Sequence, residues 1–269
     1  MSKILNGRDL SDYIKQRQEK DVRNLLQAHH LQPKLAIVLT VDNPVTEVYL
    51  RLKQKYGTDL GVAVQVHRVK QAEAPALIKK LNKDTNVHGI IVQLPLEDPS
   101  QTDEIVNLVV PAKDVDALGA KAIYEPATPL AIMWLLAGYN VELKNKRILL
   151  IGKGKLVGAP LLKLMKASGL DVEAVGRETK DLAAKTLAAD IIITATGSPA
   201  ILTSDMIKPD AVVVDAGVAS EGGKTVGDLA PDVYERDDLK ITPTRGGVGP
   251  LTVCALFENV IRATRQAND

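Results

Sequence analysis

The chain has 269 residues, 45% of them hydrophobic and 3% aromatic, with 34 Lys+Arg against 33 Asp+Glu and a net charge of +1. A balanced charge without a basic stripe argues against a nucleic-acid binder, and so few aromatic rings offer little for single strands to stack on. One cysteine, Cys254, cannot close an internal disulfide, and neither a signal peptide nor an apolar run of about 18 residues is present, so a soluble, cytoplasmic protein with no membrane partner is expected.

In chain order, the pattern predicts a helix over 10–29, a strand over 35–41, a helix over 44–60, a strand over 63–69, a helix over 74–82 and a strand over 89–92. It continues with a helix over 130–136, strands over 147–151 and 172–175 flanking a helix over 157–167, and a helix over 180–188. Strands over 190–194 and 211–215 and a final helix over 250–267 complete it. Alternating strands and helices predict an α/β fold with parallel sheets covered on both faces. Length favours two α/β domains with a cleft between them. The first is expected over 1–125, completed by the C-terminal helix 250–269, and the second, a Rossmann-type dinucleotide-binding domain with a linking helix, over 126–249.

The case for a dinucleotide rests on the run Ile151-Gly152-Lys153-Gly154-Lys155-Leu156-Val157-Gly158. A strand ends at its first glycine and a helix begins near Val157. Glycines let the backbone approach a pyrophosphate, whose charge a helix N-terminus favours. The spacing is G-x-G-x-x-x-G rather than G-x-G-x-x-G, so a tight strand–helix turn without a ligand is the competing reading. About twenty residues on, the next strand ends in Gly176-Arg177. An NAD site usually carries Asp or Glu there, whereas arginine suits the 2′-phosphate of NADP. Lys153 offers a second cation, and Glu178 is expected to point elsewhere if a helix starts at Thr179. Against this stands the reading of Arg177 as an ordinary surface arginine.

In the first half, Tyr49 and Lys53 lie four apart on one helical face, Gln93 sits just past a buried strand, and Asp114 and Asp116 lie on a loop. Singly, each reads as core packing or solvated surface. In order, they resemble the bifunctional methylenetetrahydrofolate dehydrogenase/methenyltetrahydrofolate cyclohydrolase family. The resemblance is carried by Tyr49-x-x-x-Lys53, Val87-His88-Gly89-Ile90-Ile91-Val92-Gln93-Leu94-Pro95-Leu96, Lys113-Asp114-Val115-Asp116, Thr128-Pro129, Val157-Gly158-x-Pro160 and Gly246-Gly247-Val248-Gly249-Pro250-x-Thr252, spread over nearly the whole chain.

The resemblance implies oxidation of 5,10-methylenetetrahydrofolate to the methenyl form with NADP, followed by hydrolysis to 10-formyltetrahydrofolate. It makes Lys53 the catalytic lysine, Gln93 its orienting partner, Tyr49 a stacking face for the folate rings and Asp116 the acceptor for pterin N–H donors. Leu94, Pro95, Gly247 and Pro250 are implied on the folate side. Gly152, Lys153, Gly154, Val157, Gly158, Arg177, Thr196, Gly197, Gly217, Gly249 and Thr252 are implied at the cofactor, with Ser198 lining the same cleft. A homodimer is implied as well.

The chain departs from the family pattern at Gly154 (usually serine), Gly176 (usually histidine), Ala117 and Ala131 (usually glycine) and Arg245 (usually proline). His29, His30, His67 and His88 lack metal-ligand spacing, so no metal is expected. Met133 and Trp134 read as packing, and Cys254 as a small buried hydrophobe. The alternatives are an enzyme with one of the two activities, or a non-catalytic folate or nucleotide sensor.

Overall fold

The structure is a computed structural model that describes residues 3–221 and 224–267. In chain order its elements are β1 (Lys3–Ile4), α1 (Gly7–Ala28), β2 (Lys34–Leu39), α2 (Pro44–Leu60), β3 (Ala63–Arg68), α3 (Ala74–Lys83), β4 (Gly89–Gln93), α4 (Thr102–Val106), α5 (Ala127–Gly138), β5 (Ile148–Ile151) and α6 (Gly158–Ala167). There follow β6 (Val172–Val175), α7 (Leu182–Ala188), β7 (Ile191–Thr194), β8 (Val212–Asp215), β9 (Ala219–Glu221), β10 (Lys224–Val226), β11 (Lys240–Ile241) and α8 (Val248–Gln266). Two compact units result, one of residues 12–127 and 253–269, the other of residues 1–11 and 128–252. Residues 3–11 therefore stand with the second sheet, whereas the sequence pattern groups them with the first. The reason is β1, two residues long, which pairs in parallel with β11.

In the unit of residues 12–127 and 253–269, a parallel sheet has the order β3-β2-β4. β2 and β4 are runs of Leu, Ile and Val buried by the elements around them, as parallel sheets require, whereas the edge strand β3, Ala-Val-Gln-Val-His-Arg, is half-buried to exposed. Ala36, Val38, Ile90 and Val92 pack with Ile78 of α3 and Ile105 of α4 in one core cluster. Each valine or isoleucine side chain among them contributes about 1.5–3 kcal/mol when fully buried. The strand order reverses between β2 and β4, where Leu39 and Gln93 are register partners. Ligands of open α/β sheets gather at the carboxyl ends of strands at such a switch point.

In the other unit, five strands run β6-β5-β7-β8-β11, all parallel, and β1 extends the far edge. In chain order this is 2-1-3-4-5, a doubly wound sheet whose switch point lies between β5 and β7. Leu149, Ile151, Ile192 and Val213 fill its core with Leu202 and Val233. β9 and β10 form a separate antiparallel pair. Helix α5, Ala-Thr-Pro-Leu-Ala-Ile-Met-Trp-Leu-Leu-Ala-Gly, has no polar stripe. Its Ala131, Ile132, Leu135 and Leu136 are fully buried, as expected of a helix apolar all round.

Candidate active site

The first cluster of side chains lies at the β2/β4 switch point. Helix α2 starts at Asn43, whose Oδ1 accepts the Thr46 amide at 2.9 Å, and stops at Gly61 in the left-handed region. Tyr49 and Lys53 are carried on one face of that helix. The Lys53 Nζ donates to Gln93 Oε1 at 2.8 Å. The Gln93 Nε2 donates to the Leu94 carbonyl at 3.0 Å, so the amide nitrogen is occupied and the oxygen faces the lysine. Leu94 is half-buried, Pro95 is exposed, and the peptide between them is cis.

Asp116 reaches the cluster from a loop held at several points. Ile90 and Asp114 form a parallel bridge, and Val115 is fully buried. The buried Asn259 of α8 donates to the Val115 and Glu125 carbonyls, both at 2.9 Å. Asp114 accepts the Leu118 and Gly119 amides at 3.3 and 2.8 Å. Burial pushes the Lys53 ammonium down from its ordinary range, and the charge of Asp116 opposes that. The same burial pushes the Asp116 carboxyl up, and Lys53 opposes it in turn. Desolvation is the larger effect on both groups, so each charge depends on the other and on whatever binds beside it. Tyr49 is 37% exposed, and burial of the rest of its ring raises its hydroxyl.

The second cluster lies at the β5/β7 switch point. Gly152 has φ +117°, and a Cβ there would meet the Ala195 carbonyl oxygen at 2.4 Å. A Cβ on Gly158 would meet the Gly152 carbonyl oxygen at 2.0 Å. The strand–turn–helix therefore closes only with glycine at both positions. It brings the backbone of residues 152–158 against the first turn of α6, with Val157 half-buried at the helix start and Lys153 and Gly154 exposed.

After β7, Thr196, Gly197 and Ser198 form a loop held from below by carboxylates that sequence reasoning missed. The fully buried Asp228 accepts the Thr196 amide through Oδ2 at 2.7 Å and the Ser198 amide through Oδ1 at 2.9 Å. Asp215, at the end of β8, accepts the amides of Gly217 (2.9 Å) and Asp228 (3.0 and 3.1 Å). Burial pushes the Asp228 carboxyl up, while the Thr196 amide pulls it down. An aspartate ending an apolar strand was the available signal for Asp215; nothing local marked Asp228. On the segment leading into α8, Gly247 is buried, Gly249 is exposed and Pro250 half-buried, and Thr252 Oγ1 donates to Thr128 Oγ1 at 3.4 Å.

One expectation is overturned at the end of β6. No helix starts at Thr179; α7 begins at Leu182, capped by Asp181, which accepts the Ala184 amide. Residues 177–180 are left in a turn, and Glu178, expected to point away, reaches Lys153 Nζ at 2.5 Å. Arg177 is exposed and has no ion-pair partner among the described residues. The close-packed glycines, the helix N-terminus and the uncommitted guanidinium fit a phosphate-bearing dinucleotide. Among the described residues, no group of His, Cys, Asp and Glu side chains could hold a metal ion, and no helix is long and apolar enough to cross a membrane.

These two clusters coincide with two known domain types. Residues 5–116 match the profile of the tetrahydrofolate dehydrogenase/cyclohydrolase catalytic domain, and residues 126–268 match its NAD(P)-binding domain. The "Bifunctional protein FolD" of Nitratiruptor sp. is 36% identical, with 98% of each chain covered. The crystal structure of the bifunctional FolD methylenetetrahydrofolate dehydrogenase/cyclohydrolase from Campylobacter jejuni superposes with a TM-score of 0.92 at 34% identity, covering 99% of each chain. That of the Trypanosoma brucei enzyme, complexed with NADP and an inhibitor, gives a TM-score of 0.92 at 27% identity over 98% of each chain. By sequence over nearly its whole length and by fold, the chain belongs to the tetrahydrofolate dehydrogenase/cyclohydrolase family.

Proposed function

We propose that the chain oxidises 5,10-methylenetetrahydrofolate to the 5,10-methenyl form with NADP, and hydrolyses that product to 10-formyltetrahydrofolate. The observation that carries this reading is the half-buried Lys53, held by Gln93 and facing the charge of Asp116, in a chain of this family. NADP, when bound, supplies the hydride acceptor for the first reaction. The chain's own residues hold the folate and manage protons. Tyr49 offers a ring face to the pterin and Asp116 accepts its N–H donors, with Leu94 and Pro95 as an apolar wall.

In the hydrolysis, water adds to the methenyl carbon, one proton leaves that water, and the bond to N5 breaks as N5 gains a proton. One further proton is released to solvent. A lysine whose proton affinity is lowered by burial can carry a proton between these positions near neutrality. Gln93 keeps Nζ aimed rather than merely nearby. On the cofactor side, Arg177 pairs with the 2′-phosphate, and the glycine turn with the α6 N-terminus takes the pyrophosphate. The chain is read as a homodimer, as its resemblance to the family implies, and as cytoplasmic, in keeping with its single cysteine.

A spectrophotometric assay with 5,10-methylenetetrahydrofolate and NADP⁺ tests the first reaction, and loss of methenyl absorbance tests the second. Absence of reduced cofactor with NADP⁺ and NAD⁺ alike overturns the dehydrogenase reading. Lys53→Met is expected to abolish methenyl hydrolysis; a near-normal rate removes the role given to Lys53. Arg177→Ala is expected to raise the KM for NADP⁺ far more than that for NAD⁺.

A further inference from the structure

The turn after β6 carries a feature that an NADP site does not require. Glu178 folds back over the end of the strand. A Cβ placed on Gly176 would lie 2.5 Å from its Oε2 and 3.1 Å from its Oε1, so the carboxylate occupies the space that a side chain at 176 would fill. From there it reaches Lys153 in the glycine turn at 2.5 Å. In dinucleotide domains of this type, a carboxylate at the end of the second strand accepts the ribose 2′-hydroxyl of NAD, and an arginine nearby accommodates the 2′-phosphate of NADP. This chain presents both at one strand end: Glu178 bound to Lys153, and Arg177 without an ion-pair partner among the described residues.

We propose that Glu178 is a specificity-determining residue which, through its pair with Lys153, narrows the preference for NADP and lets the same site take NAD. The proposal rests on the reading of this turn as the adenosine-ribose end of the cofactor site. With a 2′-phosphate bound, Lys153 exchanges Glu178 for the phosphate, and Glu178 is left as a negative charge beside it. With a 2′-hydroxyl bound, the pair stays closed and the carboxylate accepts a hydrogen bond from the hydroxyl. Both side chains are at least half exposed, at 50% and 65%, and an exposed pair is held weakly enough for this exchange. The open space around Gly154, where a Cβ would meet nothing within 4 Å, leaves Lys153 room to swing. The Lys153 ammonium holds the Glu178 carboxyl below its ordinary range, so the charge is present throughout the neutral range.

The test is calorimetric binding of adenosine 2′,5′-bisphosphate and of 5′-AMP to the full chain, which needs no folate and no turnover. In Glu178→Gln the affinity ratio of the bisphosphate over AMP is expected to rise about three- to tenfold, the scale of one exposed charge pair plus removal of a like charge. In Lys153→Met the ratio is expected to fall by a similar factor. NADPH and NADH binding, followed by cofactor fluorescence, is expected to move in the same directions. A ratio unchanged within twofold in Glu178→Gln, while Arg177→Ala lowers it, overturns the proposal and leaves Arg177 as the reader of the 2′-group. Binding of neither nucleotide to the unmodified chain overturns the cofactor site itself and this proposal with it. Normal nucleotide binding without any oxidation of methylenetetrahydrofolate overturns only the assigned reaction.

Discussion

Replacing Gln93 by methionine keeps the length of the side chain but removes the oxygen that accepts from Lys53 Nζ at 2.8 Å. Burial already works against the ammonium, and Asp116 is the charge that opposes it. Loss of a half-buried hydrogen bond to a charged group costs about 1.5–3 kcal/mol. Most of that cost falls on the protonated lysine, because the neutral amine makes the weaker hydrogen bond. At about 1.4 kcal/mol per tenfold, the ratio of ammonium to amine falls by about tenfold to a hundredfold at any given pH. Gln93→Glu has the opposite sign, since it sets a carboxylate against Nζ and favours the ammonium. The titration of Lys53, followed by the ¹³Cε resonance of labelled lysine, should therefore move to lower pH in Gln93→Met and to higher pH in Gln93→Glu. The basic limb of the methenyl hydrolysis profile should follow each shift. Equal losses of rate at all pH values in both variants, with the lysine titration unmoved, would refute the reasoning. Gln93 would then be a structural residue and not an orienting partner.

Three further outcomes follow from other parts of the structure. Ala117, where the family pattern has glycine, sits at φ 56°; the left-handed conformation costs a non-glycine residue about 1–2 kcal/mol, less about 0.5–1 kcal/mol for the chain entropy of glycine. Ala117→Gly should raise the urea midpoint by the equivalent of about 0.5–1 kcal/mol, and a lowered midpoint would contradict this. Gly158→Ala puts a methyl 2.0 Å from the Gly152 carbonyl oxygen, so it should cost about 1–3 kcal/mol in unfolding and weaken NADPH binding; an unchanged Tm with unchanged binding refutes the close-approach argument. His88 is buried, its proton affinity lowered by that burial, and its Nδ1 accepts the Lys34 amide at 3.2 Å, which needs the neutral ring. The unfolded chain takes up a proton near pH 6.5 where the folded one does not, so stability is full above that pH and falls as pH drops below it. Urea midpoints between pH 5 and 7.5 should show this decline, and His88→Gln should flatten it.

The alternation of strands and helices was legible because each run carries its own period. Apolar runs such as Leu35 to Leu39 and Ile148 to Ile151, short and rich in Ile, Leu and Val, fit strands of a parallel sheet covered on both faces. The glycine turn was legible as a turn, and Tyr49, Lys53, Gln93 and Asp116 were legible as a set through the family pattern. What escaped were features with no local signal. β1 and β11, two residues each, are strands only because they pair with each other and β11 with β8. Asp228 is a loop aspartate in sequence, and only the fold buries it beneath the Thr196 and Ser198 amides.

The amino-acid sequence by itself therefore determined the family, the α/β class and the residue types brought to each switch point, since hydrophobic period, glycine placement and motif order are properties of the chain. Tertiary structure alone decided which of those residues meet. The Lys53–Gln93 hydrogen bond joins positions forty residues apart, and the Lys153–Glu178 pair exists because the turn after β6 runs on to Leu182 before a helix begins. The physical reason is that a charge's partner and its degree of burial are set by neighbours in space. No spacing along the chain encodes how far burial weakens Lys53's hold on its proton, or which cation Glu178 chooses.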